Sequence, residues 1–162
     1  MDFLFSLANE QYDLVKQSRK VLLDYCETMS SEDFVNENNS FGRGGSARNL
    51  LVHIAHVYQY WVARHAMERK VEFDSYESRH NLTEVRLLFD EVDIFMNEFI
   101  QTMRGDQEDA LVRYHLNGKE GFVNKLKLFT HVITHEFHHK GQILSLSRHL
   151  GYLPVDTDII RG

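Results

Sequence analysis

Proline and cysteine are almost missing from this chain, which has one of each in 162 residues, Pro154 and Cys26. With its proline near the C-terminus, nothing inside the chain fixes φ and removes a backbone donor, so helices can run long. A lone cysteine excludes an internal disulfide. Cys26 falls in the apolar series Leu14, Val15, Ser18, Val21, Leu22, Tyr25, Cys26, Met29, which reads as a buried small hydrophobe rather than a reactive thiol. Positive charge is also in deficit. Lysine and arginine number 18 against 24 aspartates and glutamates, a formal net charge of −6, which argues against the basic face that non-specific nucleic-acid binding requires. No apolar run approaches the ~18 residues of a membrane span, and the N-terminus MDFLFSLANEQYD lacks the basic region of a secretory signal. These absences point to a cytoplasmic chain with neither a nucleic-acid partner nor a membrane span.

At 43% hydrophobic and 26% charged residues the chain can bury a sizeable core, and its length suits a single domain over residues 1–162. Apolar residues recur at helical spacing in four stretches. The first spans about Phe3 to Met29, and a polar, glycine-broken connection, SSEDFVNENNSFGRGG, follows it. Ser46 is a good N-cap for a second helix reaching about Lys70, whose apolar face carries Leu50, His53, Ile54, Val57, Trp61 and Val62. The third runs from Asn81 to near Arg104, with Leu82, Val85, Leu88, Phe89, Val92, Phe95, Met96, Phe99 and Ile100 at spacings of three and four. Around Asn117-Gly118 the pattern shortens to alternation, a hairpin signal. The last helix spans about Asn124 to Leu150, with Gly151 at C′. Four amphipathic helices predict an all-α four-helix bundle with a short β-hairpin before the last helix. The connection of about 15 residues after the first helix permits a crossover.

Histidine is what the chain has in abundance. Four of its ten histidines, His131, His135, His138 and His139, lie in nine residues. On a helix His131, His135 and His139 form one stripe drifting by about 40° per step, so His135 and His139 can offer two imidazoles to one metal ion. His53 is the best third ligand, because Leu50, Ile54 and Val57 turn its face toward the core. Three neutral imidazoles without a thiolate leave coordination positions open, as at a working rather than a structural site. His56, His131 and His138 are expected around the site or exposed, and His65, His80, His115 and His149 look ordinary. Trp61, Phe89, Phe95 and Phe99 read as core.

Two other patterns overlap the cluster. His135-Glu136-Phe137-His138-His139 satisfies H-E-x-x-H, the zinc-peptidase helix with glutamate as general base. Its longer form fails, since Gln142 and Ser145 stand where glycine and a third histidine belong. Glu136 to His139 is also E-x-x-H, half of a di-iron carboxylate site. The other copy, Glu77 to His80, falls in an expected loop.

The segments HEFHHKGQIL and SARNLLVHIAHVYQYW together resemble the DinB/YfiT-like family of small metal-binding four-helix proteins, over nearly the whole chain. In that family a histidine eight residues before a tryptophan joins two histidines of an H-x-x-H-H-[RK]-G-Q pattern. Here His53 precedes Trp61 by that spacing, and His135, His138, His139, Lys140, Gly141 and Gln142 fill the pattern, with lysine where arginine is usual. The resemblance implies His53, His135 and His139 as ligands of a divalent metal, zinc or nickel. It further implies frequent homodimers, and chemistry that includes S-transfer from low-molecular-weight thiols. The expected function is thus a metal-dependent thiol S-transferase acting on a small molecule, with Gln142 orienting a ligand ring or substrate. The alternatives are metal-assisted hydrolysis, with Glu136 or His138 as base, and a non-enzymatic metal-binding stress-response protein.

Overall fold

In the computed structural model, which describes residues 2–38, 45–105 and 110–162, the four expected helices are α1 (Phe3–Cys26), α3 (Ala47–Tyr58), α4 (Leu82–Gln101) and α5 (Lys125–His149). Their starts follow the cap chemistry of the sequence. Side-chain oxygens of Ser46, Asn81 and Asn124 accept hydrogen bonds from the backbone N–H of Asn49, Glu84 and Lys127 at 3.0, 3.0 and 2.8 Å, each satisfying a donor the helix leaves open. At the end of α5, Gly151 has φ +93°. The N–H groups of Gly151 and Tyr152 donate to the carbonyls of Arg148 and Ser147, a Schellman closure that needs the left-handed residue.

Two helical pieces depart from expectation. A one-turn helix, α2 (Ser31–Phe34), stands in the polar connection, capped by Ser30, whose side chain accepts from Asp33 N–H at 3.0 Å. The second helix is not α-helical up to Lys70: after Tyr58 it widens into a π-helical segment, Gln59–Ala66, and the N–H of Met67 reaches back to the carbonyl of Val62 at 2.8 Å. The expected hairpin is present. Strands β1 (Leu111–Leu116) and β2 (Lys119–Asn124) pair antiparallel, with Leu116 opposite Lys119. Asn117 and Gly118 take φ 51° and 74°, the two left-handed positions of a type I′ turn.

Helix α1 packs on α4 and α5, and α3 packs on the same two, so α1 and α3 stand diagonally in the bundle. Leu50, Leu51, Val52, Ile54, Ala55 and Tyr58 of α3 and Val62 of the π-helical segment are all buried. Phe89, Phe95, Phe99 and Cys26 are buried as expected, and burial pushes the Cys26 thiol up to about 12. Trp61 is only half-buried, a correction to its reading as plain core. Among the described residues no helix is long and apolar enough to cross a membrane.

Candidate metal centre

Helices α3 and α5 lie side by side, and each presents a stripe of polar rings along their shared edge. Ring centroids of His53 lie 5.1 Å from His135 and 4.7 Å from His139, and those of His135 and His139 are 4.4 Å apart. One donor nitrogen from each of the three lies within 4.8 Å of the others. The Nε2 atoms of His135 and His139 face each other at 3.1 Å. With metal–nitrogen bonds of about 2.0–2.1 Å, that spacing corresponds to a ligand–metal–ligand angle of roughly 100°.

For His139, hydrogen bonding on the far side of the ring decides which nitrogen faces inward. His139 Nδ1 lies 2.5 Å from Gln142 Oε1. An amide oxygen only accepts, so the proton sits on Nδ1 and leaves the Nε2 lone pair directed at the cluster. His53 Nδ1 contacts the Tyr76 hydroxyl at 3.4 Å. His135 Nδ1 is buried with no hydrogen-bond partner among the described residues. Burial first, then the neighbouring rings of His139 and His53, push His135 down to about 3, so this imidazole is neutral at physiological pH. Three imidazole nitrogens fit a divalent ion such as zinc or nickel by donor type. Gln142→Leu is expected to weaken metal affinity by about 10- to 100-fold while leaving the fold intact, as measured by competition with a chromogenic chelator.

The triad opens onto a cavity of about 720 Å3, within the range of small-molecule sites. His56, Tyr60, Trp61 and Arg64 line it from α3 and the π-helical segment, and His131 and His138 from α5. Leu116 of the hairpin and Phe73 and Tyr76 of the loop beyond the π-helical segment complete the wall. His56 stacks on Tyr76 with ring centroids 5.6 Å apart, and Trp61 meets His131 edge-on at 5.0 Å. The residues at 53, 56, 57, 60, 61 and 64 follow one helical stripe, so Tyr60 and Arg64 were recoverable from the sequence by extending the face that begins at His53. Phe73 and Tyr76 carry no such signal, since their loop has no period.

Glu136 takes no part in this chamber. It is fully buried against α1, where its carboxylate accepts from Arg19 Nε at 2.9 Å and Nη2 at 2.8 Å and from the Tyr58 hydroxyl at 2.6 Å. Lys140 Nζ lies 3.1 Å from its other side. Burial alone would raise the Glu136 carboxyl, but Arg19 and Lys140 outweigh it and hold the group at about 2. The H-E-x-x-H coincidence therefore places its glutamate as a structural counter-ion, facing away from the histidines on either side. Glu77, of the second E-x-x-H, lies on a 3-10 turn, Tyr76–Ser78, outside the cavity wall. His138 is exposed and lines the cavity.

Among curated proteins no match is found. The family model described as the DinB family matches residues 4–161, a span that contains both histidine-bearing helices. A match of that extent settles the relationship: this chain belongs to the DinB family.

Proposed function

We propose that the protein is a metal-dependent enzyme in which His53, His135 and His139 hold a divalent cation, zinc or nickel, and a low-molecular-weight thiol is transferred to a small electrophile. The observation that carries this reading is the pair of converging Nε2 atoms 3.1 Å apart, one fixed by Gln142, at the edge of an open cavity. A cation there would hold a coordinating thiol as its thiolate near neutral pH. The protein's own residues do the rest. Gln142 keeps His139 in the tautomer whose Nε2 lone pair faces inward, and Tyr76 stands against the outer nitrogen of His53. Trp61 and Phe73 give the chamber wall apolar surface. His138, on the cavity wall with its ring centroid 4.9 Å from His139, offers an imidazole nitrogen to the thiol proton. As the sulfur–carbon bond forms, the electrophile's leaving group departs with its bonding pair.

The hydrolytic alternative has one residue left to it. Glu136 is enclosed by Arg19, Tyr58 and Lys140, which leaves His138 of the two bases expected from the sequence. The test is thiol consumption against a panel of alkyl and aryl halides and epoxides, using zinc- and nickel-loaded protein. S-transfer predicts thiol loss matched one-to-one by thioether and abolished in His135→Ala. Hydrolysis of ester or amide substrates with no thiol requirement would replace this reading with the hydrolytic one.

A further inference from the structure

The cavity beside the triad has a charge pattern opposite to that of the chain. Acidic side chains outnumber basic ones 24 to 18, yet among the described residues no aspartate or glutamate lines this cavity, and the permanently charged residue in its wall is Arg64. Of the other described arginines, Arg19, Arg48, Arg69, Arg79 and Arg86 are among those that lie within ion-pair distance of a carboxylate. Arg64 pairs with no carboxylate among the described residues, and its guanidinium instead lies over the Tyr60 ring, 5.8 Å from the centroid. Such an arginine keeps its fork of N–H donors for an external oxyanion. The same wall carries apolar surface from Val57, Trp61, Phe73 and Leu116. A divalent cation on three neutral imidazoles would add positive charge that no side chain of the wall offsets, so charge balance would have to come from the occupant.

We infer that the cavity takes a small amphipathic carboxylate, its anionic group paired with Arg64 and its apolar body against Trp61 and Phe73. This rests on reading the cavity as the substrate chamber of the proposed enzyme, and it names the chemical class of what enters. Calorimetry with 4-phenylbutanoate and its neutral isostere 4-phenylbutanamide tests it, on wild type, Arg64→Gln, Arg64→Lys and His135→Ala, each checked for helix content and metal content. Wild type is expected to bind the carboxylate about tenfold tighter than the amide. Arg64→Gln loses that preference, Arg64→Lys keeps part of it, and His135→Ala keeps it without metal. Equal binding of both probes, no binding of either at millimolar concentration, or an undiminished preference in Arg64→Gln would overturn the inference. Should the metal reading alone be wrong, wild type and His135→Ala would both lack stoichiometric metal while the Arg64-dependent preference persists.

Discussion

Glu136→Ala is expected to destabilise the fold by about 3–5 kcal/mol, seen as a fall in Tm of roughly 10 °C or more by circular dichroism. The magnitude follows from what the substitution leaves behind. Arg19, Glu136 and Lys140 are 3%, 0% and 1% exposed, so removing the carboxylate strands two cations in a space water does not reach. Asp93 takes Arg19 Nη1 at 2.7 Å and the Tyr12 hydroxyl at 2.5 Å, but it cannot serve Lys140, whose remaining partner is Ser18 Oγ at 2.9 Å. That serine donates in turn to the carbonyl of Thr157, so the cluster also ties the C-terminal tail to α1. Glu136→Gln keeps the volume and an acceptor for Tyr58 but loses the charge, and should fall between wild type and Glu136→Ala. A peptidase-like role for Glu136 predicts the reverse, with stability unchanged and activity lost.

The same cluster sets a pH dependence. The folded-state pKa of Glu136 is depressed to about 2 from an ordinary value of 4.5. Its contribution to stability is therefore fully present above pH 4.5 and is lost as pH falls toward 2, because the unfolded chain takes up the proton first. Urea unfolding of wild type should show the largest loss of stability in that interval, and Glu136→Gln should show a smaller slope there. A slope identical in the two proteins would mean that other carboxylates dominate acid unfolding.

His135→Ala and His53→Ala carry the second large effect. Each removes one of three converging nitrogens, and two imidazoles hold a divalent ion loosely. Metal content after gel filtration should fall from about one per chain to below about 0.1, with thiol transfer lost in parallel. His56→Ala and His138→Ala, which alter the cavity wall but not the converging set, should retain the metal. The triad lies at the edge of a core built from α1, α3, α4 and α5, so helix content should survive both ligand substitutions. Wholesale loss of helix on chelation would instead mark the ion as a structural staple, since its binding energy would then be folding energy.

How much of this was legible beforehand depended on whether the signal was local. The four helices declared themselves through apolar spacing, and Ser46, Asn81 and Asn124 marked their starts because a cap acts within three residues. Asn117-Gly118 fixed the hairpin for the same reason. That His53, His135 and His139 come together was readable because two of them lie one turn apart on α5 and the third sits on an apolar helix face. What escaped was set at long range or lacked a period. The partners of Glu136 include Arg19, 117 positions away, and nothing near either residue reveals the pairing, so the local H-E-x-x-H pattern suggested a base. The π-helical winding at Gln59–Ala66 covers eight residues, too few for its wider period to separate from an α-helix. Trp61, read as core, lies within that segment, half-buried on the cavity wall.

The most direct test of a three-imidazole site with open coordination positions is a cobalt titration of metal-free protein, followed in the visible spectrum, with a small thiol then added to the saturated form. Saturation at one equivalent is predicted, with a near-ultraviolet sulfur-to-cobalt band appearing on thiol addition, and neither feature in His53→Ala. Failure of cobalt to saturate, or a cobalt spectrum that thiol leaves unchanged, would contradict a triad built to activate a thiol.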